Sequence, residues 1–140
     1  NPLAITSIAD LKSPDIKLVL CAPQVPCGSG AVALARAHGV TLHPVSEELN
    51  VNDVLGRLRS GDADAGIVYR SDLVTSANND TDVALEAVDV PHAEQYMNSY
   101  PARALGGDGT PRNEHAQRFV DFLGSTQARA HFTQAGFEAP

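Results

Sequence analysis

The sequence has very little positive charge and few of the residues on which common chemistries depend. Only Lys12 and Lys17 are lysines, against 17 acidic residues, and the formal net charge is −7. Without a basic stripe there is no electrostatic footprint for nucleic acid. No apolar run approaches the ~20 residues of a membrane span, and no stretch has the layout of a signal peptide. The histidines (His38, His43, His92, His115 and His131) are scattered, with no H-E-x-x-H or paired spacing. That pattern disfavours a directly coordinated metal and a serine triad. The turn "CGSG" looks like a phosphate loop, but a nucleotide P-loop needs G-x4-G-K-[ST], and no lysine is present.

What is present suits a folded domain. Hydrophobic content is 43% and charged content 19%, and the length is near the commonest domain size, enough for a real core. Both cysteines fall in one stretch, Cys21-Ala-Pro-Gln-Val-Pro-Cys27, just ahead of Gly28-Ser29-Gly30. Redox pairs are usually C-x-x-C at a helix start, where the dipole lowers one thiol's pKa. Here the spacing is C-x5-C with prolines inside. A phosphatase would need an arginine closing the loop after Cys27, and "GSGAVALA" has none. A structural bridge across a short loop is the preferred reading. A thiol-dependent enzyme using Cys27 or Cys21 is its rival from another class. An even count at short separation permits a disulfide, and with it an exported protein.

Ser7 can cap a helical turn over residues 8–11, which Pro14 ends. The continuous apolar run 16–22 predicts a strand buried on both faces. The prolines between the cysteines exclude a helix there; Gly28-Ser29-Gly30 then opens one, with Val32, Leu34 and Ala35 at helical spacing and a stop at Gly39. Residues 40–45 predict a second strand. Asn50 is a cap candidate for a helix carrying Val51, Val54, Leu55 and Leu58, which ends before Gly61. Residues 65–69 predict a third strand, and 71–77 a further helical turn capped by Ser71. The pattern of 82–90 does not separate strand from helix, and 97–105 is extended enough for another strand. Residues 106–114 read as a loop. The remainder reads as two helices, one marked by Phe119, Phe122 and Leu123, the other by Thr126, Ala130 and His131 and closed by Gly136.

Strands alternating with helices predict an α/β fold, a mostly parallel sheet flanked by helices, in one unit over residues 1–140. In such sheets ligands sit beyond the carboxyl ends of the strands, where helix N-termini face the crevice. Three places fit: the Cys27–Gly28 turn, the Asn50–Val51 turn and Tyr69. Backbone N–H groups at a helix start have no partner within the helix and attract anions. Asp53, Asp62, Asp64 and Asp72 read as solvated faces and caps.

Three longer stretches carry a resemblance: "VPCGSGAVALA", "NVNDVLGRLRSGDADAGIVYRSD" and the closing "AQRFVDFLGSTQARAHFTQAGF". Together they resemble the periplasmic molybdate-binding proteins of ABC importers, over about residues 11–137. The cysteine pair resembles an actinobacterial branch of that family. The resemblance implies a type II periplasmic-binding-protein fold of two α/β lobes, with molybdate or tungstate held between them, no cofactor and no catalysis. Residues 1–140 correspond to the second, C-terminal lobe, and the family's first lobe has no counterpart here. Carried over by position, the lobe's contacts to the oxyanion are the Cys27 N–H, the Val51 N–H and the Tyr69 hydroxyl. The implied partners are the missing first lobe and the membrane permease and ATPase of an importer. The implied location is extracytoplasmic, in the periplasm or at the cell surface, with a lipid anchor as an option in the full-length protein. A Cys21–Cys27 disulfide would then staple the anion-binding turn. Another oxyanion, such as sulfate, is the alternative ligand. A site of neutral dipoles suits an acidic protein, because fixed N–H and O–H donors hold a dianion without lysine.

Overall fold

Four consecutive buried residues, Leu18–Cys21, form the central strand β1. The computed structural model describes residues 1–77, 84–106 and 113–138, and divides the chain into two compact units, Asn1–Asn98 and Ser99–Pro140. In the first unit β1 lies between β2 (Ser46–Glu48) and β3 (Ala65–Gly66), both parallel to it, in the order β2-β1-β3. The register sets Val19 opposite Ser46 on one side and Gly66 on the other. Each strand is followed by a helix: α1 (Pro26–Ala37), α2 (Val51–Arg59) and α3 (Arg70–Ala77). The parallel α/β class expected from the alternation is the one observed.

Alternation along β1 divides the core. Successive side chains of a strand point to opposite faces. Leu18 and Leu20 pack with Ala31, Leu34 and Ala35 of α1 and with Ile5, Ile8 and Leu11. Val19 and Cys21 pack with Val54 of α2 and with Ala63. Leu18 and Val54 are both 0% exposed, so the sheet is covered on both faces, which is why β1 reads as an unbroken apolar run.

Local chemistry explains most boundaries. Ser7 precedes a 3-10 turn, Ile8–Lys12, and the Asp10 carboxylate accepts from the Ser7 N–H at 2.9 Å, closing a capping box. Gly39, at φ +63°, follows α1 in the left-handed region that glycine tolerates best. Asn50 caps α2 through the Asp53 N–H at 3.1 Å.

The structure departs from the sequence reading at several points. Helix α1 starts at Pro26, inside the cysteine bracket, because proline suits the first helical position, where an N–H has no partner anyway. The second strand follows residues 40–45 instead of occupying them; Val40 and Leu42 pack on the α1-side core, and pairing begins beyond Pro44. Strand β3 is two residues long, though Ile67 and Val68 still alternate onto the α1-side and α2-side clusters. Ser71 lies inside α3, which begins at Arg70. Residues 84–90 and 97–105 carry no strand. An extended segment becomes a strand only where a neighbouring edge takes its hydrogen bonds. Residues 82–83 and most of the loop expected over 106–114 lie outside the described residues.

In the second unit, α4 (Glu114–Leu123) and α5 (Thr126–Gln134) are the two helices expected. Asn113 caps α4 through the His115 and Ala116 N–H groups, and Ser125 caps α5 through the Ala128 N–H. Phe137 stands edge-on to Phe132 and Tyr100, with ring centroids 6.5 Å apart in each pair.

Candidate functional site

Because the three strands are parallel, their carboxyl ends share one edge of the sheet, and Cys27, Val51 and Tyr69 all follow those ends. Cys27 is the second residue of α1 and Val51 the first of α2. Tyr69 immediately precedes α3. The Cys27 and Val51 side chains pack on one apolar cluster with Val19, Cys21 and Val54, and Val68, the neighbour of Tyr69, packs there too. All three turns are thus anchored to the α2-side core.

The start of α1 has an unusual chemistry. Its N-cap, Val25, offers no side-chain acceptor. The Ser29 N–H bonds the Val25 carbonyl at 2.9 Å, which leaves the Cys27 and Gly28 N–H groups ahead of the first intrahelical bond. At α2 the Asn50 side chain takes the Asp53 N–H, at the third helical position, and not that of Val51. Two helix starts therefore aim backbone donors at the same sheet edge, where the macrodipoles favour negative charge.

Close packing holds the first of these turns. A Cβ on Gly28 would collide with the carbonyl oxygens of Ala22 and Cys21, so only glycine lets α1 approach the end of β1 this closely. Cys21 and Cys27 are disulfide-bonded, with Cα atoms 5.6 Å apart, and the structure has no free cysteine. With both sulfurs in one bond, neither is a resting thiolate nucleophile.

Tyr69 is half-buried. The Asp72 carboxylate accepts from its backbone N–H at 2.9 Å, the reach-back half of a capping box. Burial is the larger influence on Asp72 and raises its pKa; the bond from Tyr69 opposes it. Asn98 donates from Nδ2 to the Tyr69 hydroxyl oxygen at 2.6 Å. Nothing in the sequence marked Asn98: it lies 29 residues from Tyr69, in a stretch read as a strand.

The acidic residues serve local structure. Asp53 accepts from Asn50 Nδ2 at 2.7 Å, Asp62 from Ser60 Oγ at 2.9 Å and Asp64 from the Lys17 N–H at 2.8 Å. Glu48, at the end of β2, is paired with Arg57 at 3.2 Å, which offsets its charge at the carboxyl end of that strand. Among the described residues no group of histidine, cysteine, aspartate and glutamate could hold a metal ion, and no helix is long and apolar enough to cross a membrane.

Comparisons with known proteins agree with this architecture. The chain is 39% identical over 140 residues to the molybdate-binding protein ModA of Mycobacterium bovis and, equally, to that of Mycobacterium tuberculosis. Each alignment covers 100% of this chain and 51% of the relative, so the chain spans about half the length of the curated relatives it matches. No solved structure matches. The family model for bacterial extracellular solute-binding proteins matches residues 1–138. The match covers nearly the whole chain, and the chain belongs to the family of bacterial extracellular solute-binding proteins.

Proposed function

We propose that the chain binds a tetrahedral oxyanion, molybdate or tungstate, as one lobe of the solute-binding component of an ABC importer. The observation that carries this reading is the uncapped start of α1, aimed at the same sheet edge as the start of α2. The likeness to two molybdate-binding proteins supplies the ligand class. The Cys27 N–H, the Val51 N–H and the Tyr69 O–H are the donors. They are neutral dipoles, which suits an acidic chain: the site attracts a dianion without a cation that would need neutralising when empty.

Donors alone also select. A protonated phosphate brings an O–H that neither backbone N–H can accept, which leaves only the Tyr69 oxygen as an acceptor, and an unmet donor costs about 1–3 kcal/mol. The remaining donors come from a first lobe that closes over the anion, a reading supported by the half-length match to the relatives. The partners are then that lobe and the importer's permease and ATPase, outside the cytoplasm, and the chemistry needs no cofactor.

Titration of molybdate, tungstate, sulfate and phosphate into the protein tests the proposal. Binding of molybdate and tungstate ahead of phosphate is the expected result. A preference for sulfate would reassign the ligand, and the absence of any oxyanion binding in the two-lobed protein would overturn the reading.

A further inference from the structure

We propose that the Cys21–Cys27 disulfide gates the oxyanion site: reducing it frees Cys27 as a thiolate at the start of α1, where it competes with the ligand. The inference rests on the reading of the α1 start as an anion site. Helix α1 has no side-chain cap at Val25 and no acidic residue in its first turn, whereas α2 and α4 carry Asp53 and Glu114 in theirs. Ser29 does not serve as a cap either, since its hydroxyl donates to the Pro26 carbonyl oxygen at 3.0 Å. Two carboxylates of the neighbouring elements are held by their own partners, Glu48 by Arg57 and Asp53 by Asn50. Cys27 is the one side chain in the first turn of α1 able to become an anion, and the bridge removes that charge.

The two sulfurs are unequal. Cys21 is 3% exposed and packs with Val19, Val54 and Ala63, whereas Cys27 is half-buried. A dithiol reductant therefore attacks the Cys27 sulfur, forming a mixed disulfide and displacing the Cys21 thiolate, which takes up a proton. The reductant's second thiolate then attacks its own sulfur in the mixed disulfide and releases Cys27. Two electrons pass to the protein, the dithiol leaves as a cyclic disulfide, and its other proton goes to solvent. A helix start favours a thiolate and apolar surroundings favour a thiol, so Cys27 is left charged and Cys21 neutral.

Charge and place together make the thiolate a competitor. Its own N–H and that of Gly28 are the donors ahead of the first intrahelical bond, from Ser29 to Val25. Two like charges a few ångströms apart near a protein surface oppose each other by more than about tenfold in affinity. A disulfide sulfur carries no charge, so the bridged state leaves the donors open. Disulfides persist in oxidising compartments and are kept reduced in the cytosol. The site is therefore closed where thiols are maintained and opens where the bridge forms.

Molybdate titrations of the 140-residue chain at neutral pH, followed by NMR, test the gate, and the same spectra report whether each form is folded. Protein reduced with dithiothreitol, freed of it and kept anaerobic is expected to bind more than about tenfold more weakly than oxidised protein. Cys21→Ala and Cys27→Ala both break the bridge and keep the backbone donor, but only the first leaves a thiol on α1. Cys21→Ala is expected to bind at least about tenfold more weakly than Cys27→Ala, a difference that loss of the tether alone would not produce. Cys27→Asp fixes a carboxylate at the same position and stabilises a helix start, and it is expected to bind as weakly as Cys21→Ala. Molybdate should also slow the alkylation of Cys27 by iodoacetamide in Cys21→Ala. Equal affinities in Cys21→Ala, Cys27→Asp and Cys27→Ala, with the oxidised parent binding, would overturn the gate and leave the oxyanion reading standing. No response to molybdate from the oxidised parent would overturn the gate together with the three-donor site.

Discussion

Cys21 ends β1 and Cys27 sits in the first turn of α1, and the disulfide between them closes the loop that carries the chain from strand to donor-bearing helix start. Cys21 is buried on the same face as Val54, so the bridge ties the turn to the core as well as to the strand. Loop-closure entropy for so small a ring gives about 2–3 kcal/mol of stabilisation. A Cys21→Ala/Cys27→Ala variant should lose about that much in chemical denaturation. Thiol counting on the oxidised protein should find no alkylatable sulfur, and two reactive thiols would contradict the bridge.

Two glycines give opposite expectations for the same substitution. Gly28→Ala would drive a Cβ into the Ala22 and Cys21 carbonyl oxygens, and overpacking of this kind costs about 1–3 kcal/mol. Gly56, inside α2, has nothing within 4 Å of its added Cβ. There alanine should stabilise by about 0.5–1 kcal/mol, because glycine loses more backbone freedom on entering a helix. Thermal unfolding of the two variants should move in opposite directions. A shared direction would mean that α1 and β1 do not approach as described.

Tyr69→Phe removes the hydroxyl and keeps the ring. On the proposed reading, in a two-lobed version of the protein, molybdate affinity should fall by about 1.5–3 kcal/mol, or roughly 10–150-fold, the range for a bond to a charged group. Stability should hardly change. Calorimetry that returned an unaltered affinity would remove Tyr69 from the site.

Asp10 provides a pH dependence with a definite sign. Backbone N–H donation from Thr6 is the largest cause lowering its pKa below 3.8, followed by the Ser7 hydroxyl and the Ser7 N–H. A depressed carboxyl contributes stability above its unfolded value and loses it as pH falls through the lower folded value. Asp10→Asn should therefore be less stable than the parent at neutral pH. The difference should close on acidification below pH 3.8. Unfolding midpoints across an acid series measure it, and a gap that persisted undiminished in strong acid would rule out this carboxylate as the cause.

On the proposed reading as one lobe of two, the chain by itself should hold molybdate weakly. An anion on a half-site keeps part of its hydration, so each donor largely replaces a water. Two missing charge-assisted bonds at ~1.5–3 kcal/mol apiece remove roughly two to four orders of magnitude in affinity. Molybdate titration of the isolated 140-residue chain should then give a Kd no tighter than about the high micromolar range. Submicromolar binding would mean that the three donors of this lobe suffice without a first.

Local chemistry in the sequence determined the caps, the helix ends and the strand-buried runs. Ser7, Asn50, Gly39 and the apolar stretch around Leu18–Cys21 act through neighbours a few residues away, so their consequences are visible without a fold. The same holds for where Cys27, Val51 and Tyr69 lie, since each follows a strand and opens or precedes a helix. Tertiary structure alone decided the rest. The ladder partners of β1 depend on which edges come alongside it, so the second strand settled beyond Pro44, β3 kept only Ala65 and Gly66, and 97–105 formed none. Gly28 reveals its need for glycine only where α1 meets the Ala22 carbonyl. Asn98 lies 29 residues from Tyr69 and follows Val90, Ala93 and Tyr96, which pack on the α1-side core, and a hydrogen bond between distant side chains leaves no periodicity to read.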